Sequence, residues 1–167
     1  MKVDVTKNPI LNGNFLPVDQ ETSYEVMKVS KGKVPRDING VYLRNGPNAR
    51  YHADNGRGHF FDGDAMIHAI RIKDGRIFYC NRWAETPRLE VETKAGGPLF
   101  IRAGELFNAS GLAKSALIGL EQKVGYKLGG DLEEYKGATA NTAFAHHQKK
   151  TYAMYESDFP FQIRVDR

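Results

Sequence analysis

The stretch AMIHAIRIKDGRIFYCNR at residues 65–82 decides the fold class of this chain. Met66, His68, Ile70 and Ile72 share one face of an extended chain, and a second β-compatible run, 77–80, follows Asp74-Gly75. Alternation with a period of two is typical of a half-buried strand, and Asp-Gly supplies the positive φ angles that a tight hairpin turn demands. The stretch therefore predicts a β-hairpin.

Further strands are expected on both sides of this hairpin. A second hairpin fits residues 140–147 and 151–156, with Gln148-Lys149-Lys150 between the two runs. Two short strands fit 24–29 and 41–43, where Gly and Pro punctuate the chain. Residues 9–23 mix Pro, Gly and polar residues and predict an irregular, extended arm.

The period changes between the two hairpins. Apolar residues recur there at spacings of three and four, which is the pattern of one helical face: Leu106, Ala109, Ala113, Leu117, Leu120 and Val124. We expect residues 99–128 to be helical. Four glycines weaken a single long helix, so two shorter helices fit equally well.

Composition limits the classes of protein to which the chain can belong. Its 167 residues suit one domain, and its 24 basic and 20 acidic residues give a net charge of +4 without a basic run. Nucleic acid is therefore not an expected partner. Cys80 is the single cysteine, so no internal disulfide forms and a reducing, intracellular compartment is favoured. Neither a secretory signal nor an apolar run of about eighteen residues is present, which predicts a chain that is neither secreted nor membrane-spanning.

The hairpins suggest blades of a β-propeller, although no internal repeat is evident. A propeller typically needs about four to eight blades to remove its exposed strand edges. We therefore expect the chain to be an unfinished part of a longer fold.

The hexapeptide His59-Phe60-Phe61-Asp62-Gly63-Asp64 is the most distinctive motif. Its two aspartates could be half of a calcium loop, but the further acidic positions of an EF-hand are missing. In the favoured interpretation Gly63 makes a tight turn, both aspartates bind nearby backbone amides, and both phenylalanines pack under the following strand.

Five histidines raise the question of a metal site, namely His52, His59, His68, His146 and His147. Their spacing shows no convergence, and adjacent histidines on a strand point to opposite faces. His68 shares the inward hairpin face, where we expect a core histidine with a satisfied ring. None of the five is predicted to bind metal, and no hydrolase or phosphate-binding motif is present.

Four stretches, taken in order and spacing, resemble the start of the carotenoid cleavage oxygenase family, with plant and algal members nearest. They are residues 8–18 (NPILNGNFLPV), 39–48 (NGVYLRNGPN), 59–69 (HFFDGDAMIHA) and 138–143 (ATANTA). This chain has Phe60 and Ala65 where members usually have Trp and Gly. These two changes leave the substrate open.

The resemblance implies an all-β fold, a seven-bladed β-propeller of which this chain is the amino-terminal part. It divides the chain into an arm at 1–23, first strands and a hairpin at 24–98, a helical dome segment at 99–130, and the next strands at 138–167. The family's dome covers the active site, and its apolar face is often used to dip into membranes. The alternative is a dome helix that packs only on protein. Its membrane-facing candidates are Leu106, Phe107, Leu117 and Leu120.

The resemblance also implies an iron(II) centre held by four histidines, all of them beyond Arg167, so the chain itself carries no metal ligand and no catalytic residue. Family members use glutamates to accept hydrogen bonds from iron-bound histidines, and Glu156 matches the first of these. The motif His59, Phe61, Asp62, Gly63 and Asp64 is assigned a structural role.

The implied activity is cleavage of a double bond of a carotenoid or apocarotenoid, with dioxygen as the second substrate. The isolated chain is expected to be inactive, with a cytosolic or plastid location and peripheral membrane association. Two alternatives stay open: a non-catalytic module that binds lipid or a membrane surface, and a stilbene-cleaving or retinoid-processing relative.

Overall fold

The computed structural model describes residues 12–51, 59–100, 139–156 and 158–165. Within these ranges the chain forms seven strands and one α-helix. In order they are β1 (Glu25–Val26), β2 (Gly40–Arg44), β3 (Met66–Lys73), β4 (Arg76–Trp83), α1 (Pro87–Ala95), β5 (Ala143–His147), β6 (Lys150–Met154) and β7 (Phe161–Ile163). Short 3-10 turns span Gly13–Phe15 and Phe60–Asp62.

The predicted hairpin is the centre of the first sheet, whose strand order is β1-β4-β3-β2. β3 and β4 pair from Met66 opposite Trp83 to Lys73 opposite Arg76. Asp74 and Gly75 have φ angles of 52° and 74°, as a two-residue hairpin turn requires. This prediction is confirmed, as are the two short strands that became β1 and β2.

The second hairpin is also confirmed, in a sheet of order β5-β6-β7. Its turn is shorter than expected, because Lys150 is not in the turn but pairs with His147 as the first residue of β6. Gln148 and Lys149 alone make the turn, with φ angles of 48° and 63°. The described residues thus form two antiparallel sheets and one α-helix, while the seven-bladed ring and the division of the chain into its segments stay predictions.

The arm is irregular from residue 12 to residue 23 apart from its 3-10 turn, as expected. Two buried asparagines attach it to the first sheet. The Asn48 side chain accepts from the Val18 nitrogen at 2.7 Å and donates to the Val18 carbonyl at 2.8 Å. Asn81 donates to the Gln20 carbonyl at 3.2 Å. These two side chains form hydrogen bonds with the backbone N–H and C=O groups of the arm. A neighbouring strand would otherwise provide such partners.

Small residues form the core between the two sheets. The alanines at 65, 84, 140 and 153 are buried together, and Ile67 of β3 packs on them with Phe161 and Ile163 of β7. A second cluster joins Met66, Trp83 and Leu89, and so seats the helix against the first sheet. Because alanine side chains are short, the backbones of the two sheets can approach closely.

The helix α1 was not predicted from the sequence. The Thr86 hydroxyl accepts from the Leu89 nitrogen, Pro87 begins the helix, and Gly96 ends it with a φ of 72°. Two of its buried side chains, Arg88 and Glu92, are charged. The sequence therefore lacks the apolar stripe that would have predicted this helix.

The segment predicted as helical, 99–128, lies almost entirely outside the described residues, as do Leu106, Phe107, Leu117 and Leu120. Its first two residues, Leu99 and Phe100, are not helical. Both of their backbone nitrogens donate to Oε1 of Glu92, at 3.0 and 3.2 Å. No helix in the described part of the chain is long and apolar enough to cross a membrane.

Candidate functional site

Asn141 joins two motifs that lie far apart in the sequence. Its side-chain nitrogen donates to the Phe61 carbonyl at 2.9 Å and to the Gly63 carbonyl at 2.7 Å. These residues are 80 and 78 positions away, and Asn141 is only 3% exposed. The hexapeptide at 59–64 and the stretch at 138–143 therefore form one structural unit.

The hexapeptide is a 3-10 turn closed by reciprocal caps. The His59 Nδ1 atom accepts from the Phe61 nitrogen at 3.3 Å, and Asp62 Oδ2 accepts from the His59 nitrogen at 2.8 Å. Asp64 Oδ2 accepts from the Arg50 nitrogen at 3.0 Å. Both aspartates bind backbone amides, as the favoured interpretation predicted.

Phe61 departs from expectation, and the reason for a glycine at position 63 is not its backbone angle. Gly63 has a φ of −69°, outside the left-handed region. It is instead packed against the neighbouring backbone, since a Cβ there would lie 2.5 Å from the Asn48 nitrogen. Phe61 is 66% exposed rather than packed under β3, while the Phe60 ring meets the Phe15 ring edge-on at 5.3 Å between centroids.

Glu156 follows the end of β6 and lies beside Thr142. The Thr142 hydroxyl lies 3.0 Å from Glu156 Oε2 and 3.2 Å from Asn141 Oδ1. A hydroxyl has one hydrogen, so it donates to one of these two acceptors at a time. Both Thr142 and Glu156 are exposed.

The backbone next to this pair is strained. Ala140 has a φ of 51°, a left-handed conformation that costs a residue with a side chain on the order of 1 kcal/mol or more. The Asn45 side chain holds it there by donating to the Ala140 carbonyl at 2.6 Å. Strain of this kind concentrates at functional sites, where the surrounding structure maintains it.

His68 is half-buried on the predicted hairpin face and pairs with Tyr79, with 2.7 Å between Nδ1 and the phenolic oxygen. This is the satisfied histidine that the sequence predicted. Burial lowers the pKa of His68, and the nearby Arg44 charge lowers it further. Burial also raises the pKa of Tyr79, with a smaller contribution from Cys80.

The remaining histidines do not converge. His146 and His147 are exposed neighbours on β5, and His146 Nδ1 lies 3.1 Å from the Thr151 hydroxyl. His59 caps the turn, and His52 lies outside the described residues. Within the described ranges no group of three or more His, Cys, Asp or Glu side chains could hold a metal ion. These residues do not by themselves fit an iron centre.

Sequence reasoning singled out Glu156 and the hexapeptide but not Asn141 or Thr142, although both lie in the quoted ATANTA stretch. Their roles depend on partners elsewhere in the chain. The available signal was a pair of polar residues among alanines in a stretch that leads into a strand.

Comparisons with known proteins agree with these observations. Residues 15–167 match the family described as retinal pigment epithelial membrane protein, RPE65. The carotenoid 9,10(9',10')-cleavage dioxygenase 1 of Arabidopsis thaliana is 39% identical over 155 residues, 93% of this chain and 28% of that protein.

Two solved structures share the fold. A lignostilbene dioxygenase of Pseudomonas brassicacearum matches with a TM-score of 0.66 at 22% identity, covering 93% of this chain and 28% of that one. A cobalt-substituted apocarotenoid oxygenase of Synechocystis matches with a TM-score of 0.61 at 23% identity, covering 89% and 28%. The chain thus spans about 28% of the length of the relatives it matches.

Proposed function

We propose, because this chain belongs to the carotenoid cleavage oxygenase family, that the complete protein is an iron(II)-dependent dioxygenase that cleaves a double bond of a carotenoid or apocarotenoid. The 39% identity to a carotenoid cleavage dioxygenase supports this choice of substrate class. The chain spans 28% of that relative, and it is proposed to contribute one part of the active site. The complete protein means here the product of the entire reading frame that contains these residues.

The observation that carries the proposal is the position of Glu156. Its carboxylate is exposed, and the Thr142 hydroxyl at 3.0 Å restrains one of its oxygens. A carboxylate in this state can accept the outward N–H of a metal-bound histidine, which fixes the tautomer and orientation of the ring. Glu156 is therefore proposed to support an iron ligand rather than to be one.

The iron itself would activate dioxygen. The described residues offer it no ligand group. The ligands are proposed to be four histidines beyond Arg167, as the family resemblance implies. Within this chain, the Glu156 carboxylate orients a ligand and the exposed Phe61 ring offers apolar surface. A conjugated polyene needs a mostly apolar site with a few positioned polar groups.

Isotope labelling tests the proposal directly. The complete protein is loaded with iron(II) and incubated with carotenoids and apocarotenoids in detergent micelles under ¹⁸O₂. We expect loss of polyene absorbance and carbonyl products that contain ¹⁸O. Intact polyene after incubation with the iron-loaded protein would refute the proposal, and protein treated with a chelator serves as the control.

The same assay separates the alternatives. Preferential cleavage of a stilbene, or processing of a retinoid, would assign the protein to another branch of the family. The inactivity of the isolated chain, its cytosolic or plastid location and its membrane association stay predictions. Co-sedimentation of the complete protein with liposomes tests the last of these.

A further inference from the structure

We propose that Asn141 is a positioning residue for polyene cleavage, because one buried side chain holds both the exposed Phe61 turn and the strand start that carries Thr142. The inference rests on the proposed function and adds a residue to the same site. Asn141 acts through its neighbours and is not proposed to touch iron or dioxygen.

The hydrogen bonds of Asn141 are specific to an amide side chain. A carboxamide nitrogen has two hydrogens, and Asn141 directs them to two carbonyls, those of Phe61 and Gly63. A carboxylate has no hydrogen for either carbonyl. An apolar side chain would leave both carbonyls without this donor, and the buried Gly63 carbonyl would then have lost a hydrogen bond that water cannot readily replace.

The oxygen of the Asn141 carboxamide lies on the side of Thr142 and Glu156. Oδ1 of Asn141 lies 3.2 Å from the Thr142 hydroxyl, which also reaches Glu156. With its nitrogen committed to the turn, the Asn141 oxygen has a fixed direction. The Thr142 hydroxyl donates either to Asn141 Oδ1 or to Glu156 Oε2. The position of Asn141, which also holds the turn that carries Phe61, therefore affects whether this hydroxyl points toward Glu156.

Coupling of this kind matters for a long, featureless substrate. A polyene has few polar groups, so the position of its scissile bond relative to the iron depends on apolar walls. A displacement of about 1 Å in a positioning element can lower a rate on the order of 100-fold. Loosening the Phe61 turn should therefore impair the reaction more than it impairs the fold.

Asn141→Asp in the complete, iron-loaded protein tests this. The matched control is Asn81→Asp, which changes another buried asparagine whose amide donates to a carbonyl, but one that attaches the arm. We expect Asn141→Asp to lower kcat/KM on the order of 100-fold and to release products from more than one bond. Asn81→Asp should lower the melting temperature with a smaller loss of kcat/KM.

The pH dependence of the rate distinguishes a positioning role of Asn141 from a purely structural one. The introduced carboxyl group faces two carbonyls, so its pKa is raised and its protonated form can donate one hydrogen bond. The rate of Asn141→Asp relative to the unaltered protein should rise as the pH falls from about 8 to about 6. A serine side chain is too short to bridge both carbonyls, so Asn141→Ser should lose activity at every pH without recovery in acid. If Asn141→Asp cannot be purified, Asn141→Ser tests the loss of activity in its place.

Equal losses of kcat/KM in Asn141→Asp and Asn81→Asp, or a pH-independent rate ratio, would overturn the inference. Hydrogen exchange separates this failure from failure of the proposed function. Amides of residues 59–64 should exchange faster in Asn141→Asp than in Asn81→Asp, and this requires no substrate. Faster exchange in a protein that cleaves no polyene would keep the structural link and reject the function.

Discussion

Gly63 is packed so tightly on Asn48 that a Cβ atom at Gly63 would lie 2.5 Å from the Asn48 nitrogen and 2.8 Å from the Ala49 nitrogen. Both neighbours are backbone atoms, and the Asn48 nitrogen also donates to the Asp64 carbonyl at 2.7 Å. The turn that carries Phe61 is therefore held from two sides, by this contact and by Asn141.

Gly63→Ala should destabilise the protein, because the backbone at Asn48 cannot move without breaking its bond to Asp64. We expect a loss of about 1–3 kcal/mol in the free energy of unfolding, measured by urea denaturation of the complete protein. Gly46→Ala is the control, since a Cβ there would meet nothing within 4 Å. An equal effect of both substitutions would contradict the packing argument.

Glu156→Gln should weaken iron binding and turnover by about 10- to 100-fold, as is usual when a partner of a metal-bound histidine is removed. The amide keeps the size of the side chain but lacks the negative charge that raises ligand basicity. Equilibrium dialysis against iron(II), followed by single-substrate kinetics, measures both effects. Glu90→Gln on the exposed side of α1 is the control, and unchanged iron affinity in Glu156→Gln would reject the role of Glu156.

Lys149→Gly should stabilise the second hairpin. Lys149 has a φ of 63°, which glycine adopts without the steric cost that a side chain incurs. The expected gain is about 0.5–1 kcal/mol, seen as a higher urea midpoint. Lys150→Gly, one residue further in β6, should instead destabilise the sheet, and a gain from both changes would refute the turn assignment.

Acid should weaken the fold partly through His68. Burial and Arg44 lower its pKa below the ordinary value of 6.5, so the unfolded chain binds this proton more readily than the folded chain. The contribution is complete above about pH 6.5 and is lost as the pH falls toward the lowered folded-state value.

His68→Gln should therefore lose less unfolding free energy than the unaltered protein does between about pH 7.5 and pH 5.5. Urea denaturation at several pH values measures the difference. His146→Gln, an exposed position on β5, is the control. If His68→Gln and the unaltered protein show the same pH dependence, His68 does not contribute.

Local sequence determined much of the sheet structure. Asp74-Gly75 placed the first hairpin because a tight turn needs positive φ angles, and period-two alternation marked the strands around it. The second hairpin was predicted with a turn one residue too long, because Lys150 suits either a turn or an edge position. The helix α1 was missed because its buried side chains include the charged pair Arg88 and Glu92, with 3.8 Å between Nε and Oε2, and periodicity detects only apolar burial.

The candidate site, unlike the sheets, depends mostly on contacts between segments that are distant in the sequence. The sequence by itself determined the family motifs and the binding of backbone amides by Asp62 and Asp64, since these depend on residue type and short spacing. The role of Glu156 was inferred from the family resemblance and stays a prediction. Only the tertiary structure decided that Asn141 holds Phe61 and Gly63 from about 80 residues away, that Phe61 is exposed, and that Gly63 is required for space rather than for its backbone angles. Contacts between distant segments depend on how the two sheets pack, and no local pattern of residues encodes that geometry.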